Sequence, residues 1–331
     1  MHIPDGFIDA KTALASSAIA AAGLGIALAR VRRAVPPQRI PLIGLASAFV
    51  FAAQMLNFPV AGGTSGHLIG AVLAAVLLGP SAAILVISSV LFLQCFMFAD
   101  GGVTVLGANI FNMGIVAPGL GYAIYVLVRR AAGSGLRVRL LGTAFAAWCS
   151  IVAASIACAA ELALSGTVAW RVAFPAMVNI HMVIGIGETL ITTLVVAGVC
   201  RVRPELLMED RQPNLRTNYA ELVAYGLLIS LGLVIFVSPF ASKWPDGLEK
   251  VAELFGFEHR AATRPVVASP FPDYTMPGEN SAVLSTLVVG CVGTVAAFVF
   301  AYLLARFLTP RSRPDDGRQS GGDADHAPTS S

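Results

Sequence analysis

Long stretches without a single charged side chain dominate this chain. They lie near residues 12–29, 40–58, 68–99, 103–128, 140–160, 172–187, 222–242 and 281–305, and the sixth continues past Glu188 to Cys200. A backbone that crosses lipid must satisfy its own hydrogen bonds, which leaves helices and closed barrels. A helix needs about 20 apolar residues to span, and these runs have that length. Of the 331 residues, 56% are hydrophobic and 12% charged, and the mean hydropathy is +0.76. A soluble domain carries about 25% charge. The expected class is an all-α polytopic membrane protein.

The run 68–99 is too long for one ordinary span, since at 1.5 Å per residue it would reach about 48 Å. Gly79-Pro80 sits in its middle and is a natural break. Four arginine clusters carry 16 of the 22 basic residues: Arg30/Arg32/Arg33/Arg39, Arg129/Arg130/Arg137/Arg139, Arg201/Arg203/Arg211/Arg216 and Arg306/Arg311/Arg313/Arg318. Positive residues stay cytoplasmic, and all four clusters can do so only if the chain crosses twice between residues 68 and 99. The expected layout is nine spans, a seven-helix bundle followed by a two-helix hairpin. The N-terminus, residues 59–67 and the 241–280 loop then lie outside, and the C-terminus is cytoplasmic. The expected domains are 1–200, a cytoplasmic linker at 201–219 containing Pro204 and Pro213, a hairpin module at 220–306, and a disordered tail at 307–331 rich in Ser, Gly, Asp and Pro.

Several function classes are excluded or disfavoured. Lys11, Lys243 and Lys250 are the only lysines, and none sits in a phosphate-binding Gly-x4-Gly-Lys-Ser/Thr loop. ATP-driven work would need another polypeptide. The arginines flank apolar segments, so the net charge of +3 does not point to nucleic acid. Cys95, Cys149, Cys158, Cys200 and Cys291 form no Cys-x2-Cys pair, which argues against a thiolate metal site. They read as small packing residues. The acidic start (Asp5, Asp9) lacks the basic region of a signal peptide. No His-Glu-x2-His helix and no nucleophile–base pair suggests an enzyme.

The dipeptide Met1-His2 is a compact chelator. Its amine, the deprotonated His2 backbone nitrogen and the His2 imidazole close a five- and a six-membered ring around one ion. A second imidazole completes a nitrogen plane suited to Ni(II) or Cu(II) and able to accommodate Co(II). The alternative is a frayed terminus. His67 follows Gly63-Thr64-Ser65-Gly66. Here glycines admit close backbone approach, and Thr64 and Ser65 could support a ligand, or the stretch is an ordinary turn. Asn109 and Asn112, three apart near Asp100, share a helix face and serve either a pathway or helix–helix bonding. Glu161, His181 and Glu188 should point into the bundle, in structural or supporting roles rather than as direct ligands. Ala18, Ala22 and Gly25 form a small-residue face on the first span, for a partner subunit or for internal packing.

Met1-His2-Ile3-Pro4-Asp5-Gly6-Phe7, Asn57-Phe58-Pro59-Val60 through Gly66-His67-Leu68-Ile69-Gly70, Asp100 through Asn112-Met113-Gly114, and His181 through Gly187-Glu188 resemble the CbiM/NikM family. These are substrate-binding S-components of energy-coupling-factor (ECF) cobalt and nickel importers. The resemblance covers about residues 1–200. It implies a seven-span bundle that binds one ion near its outer face through the Met1 amine, the His2 backbone nitrogen and imidazole, and the His67 imidazole. Asn57, Thr64, Ser65, Asn109, His181 and Glu188 are carried over as supporting residues. Met182 after His181 is one departure, where a smaller residue is expected. Trp244 through Glu253 resembles the PDGLE signature of the small NikN-type partner. The implied cargo is Ni2+ or Co2+, with a lean to Ni2+. The implied partners are a CbiQ/NikQ-like coupling subunit and CbiO/NikO-like P-loop ATPases. The competing expectation is an autonomous divalent-cation channel or secondary transporter.

Overall fold

The computed structural model describes residues 1–206, 218–262 and 266–308. Much of the 201–219 linker and nearly all of the 307–331 tail lie outside the described residues. The protein is helical, with one two-stranded hairpin, β1 (Phe58–Val60) and β2 (Thr64–Gly66), paired antiparallel with Pro59 opposite Ser65. The bundle consists of α1 (Ala10–Ala34), α2 (Ile40–Gln54), α3 (Ala71–Leu78), α4 (Pro80–Phe98), α5 (Leu106–Asn109) running through a π-helical turn (Ile110–Val116) into α6 (Ala117–Ala132), α7 (Leu136–Leu164) and α8 (Trp170–Val202). After the linker come α9 (Tyr219–Val237), the short α10 (Gly247–Phe255) and α11 (Ala282–Leu308).

Among the described residues, seven helices are long and apolar enough to cross a membrane: α1, α4, α5–α6, α7, α8, α9 and α11. Two expected spans fall short of that length. Helix α2 has 15 residues and α3 has 8. The break at Gly79-Pro80 is where the sequence places it, but the run 68–99 holds one full-length helix and one of about 12 Å. The reason lies just upstream. Residues 64–70 are non-helical and buried, a conformation tolerated at membrane depth only inside protein. Glu188 on α8 satisfies this backbone by accepting from the Ile69 N–H at 2.6 Å and the Gly70 N–H at 3.1 Å. The Gln54 side chain donates to Ile69 O at 2.9 Å. Ala71 through Val76 are then buried on every side, as a helix apolar all round must be.

The C-terminal helices dock on α2. Built onto Gly44, a Cβ would lie 2.9 Å from the Phe298 carbonyl of α11, and on Gly293 only 2.2 Å from the Phe51 ring of α2. The missing side chains set the close approach, as small residues do between membrane helices. Helix α1 is different. Ala18, Ala22 and Gly25 are exposed, and nothing lies within 4 Å of a Cβ on Gly25. That small-residue face is not used for packing among the described residues.

Replacing Glu188 with Ala strands two buried amides, each of which costs about 1–3 kcal/mol when unsatisfied. Thermal unfolding of the purified protein in detergent should show a clearly lowered midpoint. An unchanged midpoint would mean that Glu188 does not hold this segment.

Candidate metal centre

The N-terminal segment is threaded into the bundle. Met1, Ile3 and Phe7 are all buried. Asn109 grips Ile3 from both ends of its amide: its carbonyl accepts from Ile3 N–H at 2.8 Å, and its NH2 donates to Ile3 O at 3.1 Å. Gly102 N–H donates to the same Ile3 carbonyl at 2.9 Å. The Asp5 carboxylate accepts from the Thr104 N–H at 2.8 Å and the Thr104 hydroxyl at 2.6 Å. Asp9 then caps α1, accepting from the Thr12 N–H at 3.1 Å. The Ile3 peptide and the Asp5 side chain are held at several points, so the terminus is fixed rather than frayed.

This anchoring delivers the Met1 ammonium to His67, where it donates to Nε2 at 2.9 Å. The other ring nitrogen, Nδ1, faces its neighbour's carbonyl, Leu68 O, at 3.3 Å. An Nδ1–H there leaves the Nε2 lone pair turned to the terminus. Burial first, then the adjacent ammonium and His2, hold the His67 pKa well below 6.5. The ring is therefore neutral at pH 7, the state in which imidazole binds metal. The His2 ring stacks on it with centroids 5.2 Å apart and planes 29° apart. Burial also lowers the His2 pKa, opposed by the Asp100 charge. Its Nδ1 lies 3.2 Å from Asp100 Oδ1 and its Nε2 3.2 Å from Gln94 Oε1.

The C-terminal module completes the enclosure. Ser65 donates through its N–H to Pro245 O at 2.8 Å and through its hydroxyl to Trp244 O at 2.7 Å. The Thr64 hydroxyl donates to Pro245 O at 3.0 Å. The chain turns there into α10, whose N-cap Asp246 forms a capping box with Glu249. One Asp246 oxygen accepts from the Leu248 and Glu249 N–H groups, while the other takes the Met1 ammonium. Burial opposes ionisation of this carboxyl. The ammonium, His67 and the backbone donors outweigh it and hold the pKa well below the usual carboxylate range. Gly247 lets α10 sit this close, because a Cβ there would lie 2.8 Å from the His181 ring.

The expected residues are thus distributed as follows. Met1, His2 and His67 come together. Thr64 and Ser65 hold the segment that carries Asp246. Asn109 positions the backbone beside His2. His181 donates from Nδ1 to Met177 O at 2.7 Å and lines, with Met1, His67 and Asp246, a cavity the size of about one water molecule. Glu188 fixes the segment after His67. The Asn57 backbone carbonyl accepts from the Ser242 N–H at 2.7 Å, and the residue lines an apolar crevice beside α9 rather than the terminus. Met182 points away and is 39% exposed. Asn112, although three residues from Asn109, donates to Glu161 at 2.6 Å instead, alongside Ser16. Asp246, Gln94 and Tyr274 were not singled out by sequence reasoning. The Asp-x2-Glu spacing of Asp246 and Glu249 marks a helix start, but nothing local marks its ammonium partner.

Among the described residues, no three His, Cys, Asp or Glu side chains are grouped to share a metal ion. Comparison with known proteins agrees with a metal-handling role. Residues 2–206 match the family described as the cobalt uptake substrate-specific transmembrane region, CbiM, and residues 220–310 match the PDGLE domain. A chain named NikMN from Archaeoglobus fulgidus is 34% identical over 309 residues, covering 93% of this chain and 99% of its own. The fused nickel transport protein NikMN of Rhodobacter capsulatus is 36% identical over 71% of this chain and 73% of its own. The cobalt transport protein CbiM of Geobacter sulfurreducens is 28% identical over 96% and 92%. A crystal structure of a truncated transition metal transporter superposes with a TM-score of 0.56 at 36% identity, covering 61% of this chain and 99% of that one. The chain belongs to the CbiM family and carries a PDGLE domain at its C-terminal end.

Proposed function

We propose that this chain is the ion-binding membrane component of an ECF-type importer for Ni2+ or Co2+. It takes the ion at the extracytoplasmic face through the Met1 amine, the His2 backbone nitrogen and imidazole, and the His67 imidazole. The observation that carries this reading is the 2.9 Å contact between the Met1 nitrogen and His67 Nε2, which joins the terminal chelator to a second, neutral imidazole. The arginine distribution supports an outward-facing terminus. The exposed Ala18/Ala22/Gly25 face offers a close-packing surface for a coupling subunit, and separate P-loop ATPases supply the energy. The fused layout shared with the NikMN relatives and the preference of a planar nitrogen set both favour nickel over cobalt.

Binding exchanges protons for metal. The Met1 ammonium gives up one proton and leaves Asp246, and the His2 amide gives up another. The neutral His67 ring gives up none. The neutral His2 ring would carry its hydrogen on Nε2, facing Gln94 Oε1, as Nδ1 leaves Asp100 for the ion, so this ring releases no proton. Divalent charge thus replaces ammonium charge beside the same Asp246 carboxylate.

Two outcomes are expected of the purified protein. His67→Ala and an N-terminal tag should each abolish high-affinity Ni2+ and Co2+ binding in calorimetric titrations. Retained binding by the tagged protein would eliminate the terminal chelate. The logarithm of the association constant should also rise by about two for each pH unit in the range where amine and amide are both protonated. A pH-independent constant would exclude ligation by deprotonated nitrogens.

A further inference from the structure

We infer that the small cavity between α8 and the start of α10 is a binding site for one water molecule, held by His181, and that His181 is a positioning residue acting on the N-terminus through that water. The effect on ion binding rests on the chelate reading above; the water site itself does not.

One buried nitrogen without a partner carries the argument. His181 is 1% exposed. Its ring spends Nδ1 on its own helix, 2.7 Å from Met177 O. Among the described residues, Nε2 has no hydrogen-bond partner. The ring edge that bears it is turned to the start of α10, where a Cβ built on Gly247 would lie 2.8 Å from Cε1 and 2.9 Å from Nε2. His181 and Gly247 both line the cavity, together with Met1, His67 and Asp246. A buried polar atom of this kind is ordinarily satisfied by protein or by ordered water.

Water fits the place in size and in partners. The cavity has room for about one molecule. A buried water makes roughly two to four hydrogen bonds, and Asp246 offers the second. Its Met1-facing oxygen accepts only from the Met1 nitrogen among the described residues. A carboxylate oxygen has two lone pairs, so one is left. Water both donates and accepts, so it pairs with Nε2 in either form of the His181 ring. The His67 nitrogens already have partners in Met1 and Leu68. Ile69, Ile151 and Ile184 make the rest of the wall apolar, which fixes the molecule at the His181–Asp246 end. The water thereby ties α8 to the carboxylate that holds the Met1 nitrogen. Residues that orient ligands at one remove in this way are worth about 10–100-fold in metal affinity.

The test uses the full-length protein. A crystal structure of the metal-free protein, at a resolution that shows ordered water, should have density within hydrogen-bond distance of both His181 Nε2 and the Asp246 carboxylate. A cavity without such density overturns the inference, and no variant has to fold for that outcome to be read. Two substitutions then separate the ring's two ends. His181→Asn keeps a donor for Met177 O but stops short of the cavity. His181→Gln gives up that bond and keeps a polar group near the Nε2 position. The asparagine variant should bind Ni2+ about tenfold or more weakly, and the glutamine variant should recover most of the loss. Equal affinities in the two variants, or the reverse order, would assign His181 to its own helix and sink the inference. The chelate fails separately: Ni2+ binding that survives an N-terminal tag removes it, while the density still decides the water site.

Discussion

A free ammonium group taken out of water must be neutralised, and in this protein the Met1 ammonium is almost fully buried. Isolated burial of such a charge carries a penalty of several kcal/mol, which Asp246 offsets through direct contact and His67 through its lone pair. Asp246 can do so only because it stands at the start of α10, and α10 reaches His181 only because residue 247 has no side chain. Thr64 and Ser65 hold the approach to α10, and the hairpin that carries them leads directly to His67. The placement of three separate segments, 1–5, 64–70 and 244–249, thus follows from one charge that needs a partner.

On the proposed chelate, the same arrangement explains how a site with few polar side chains discriminates. A proton on the amine and a divalent ion on the amine face the same carboxylate, so the local charge is balanced in either state. Selectivity is left to geometry and ligand type, where nitrogen donors in a plane favour the later first-row ions over Mg2+ or Ca2+, which prefer oxygen. The surrounding apolar shell, including Ile3, Ile69 and Ile184, excludes water that would compete for the ion.

Much of the fold was legible because lipid imposes a simple rule. Uncharged runs mark the spans, and Gly79-Pro80 marks the break between α3 and α4. The shortness of α3 was not legible, since Glu188 supplies its missing backbone partners from more than a hundred residues away. Met1, His2 and His67 stood out because their chemistry is unusual at those positions. Asp246 did not, because its local signature as a helix cap is complete without the ammonium. Gln94 lies inside an apolar run and Tyr274 in an irregular loop. Their pairing depends on tertiary contacts that no periodicity encodes. Asn109 and Asn112 show the limit of face arguments: the π-helical turn that begins between them accompanies a divergence of partners, one amide going to the N-terminal segment and the other to Glu161.

The grip of Glu188 on the two amides after His67 has a mechanical side. That carboxylate belongs to α8, whereas the N-terminal segment hangs from Asn109 on α5 and from the 102–104 turn through Asp5. The two halves of the proposed chelate therefore ride on different helices. A tilt between α8 and α5 parts the imidazole of His67 from the amine of Met1 while every bond within each half stays intact. On that reading the site is jointed, each half carried by its own helix.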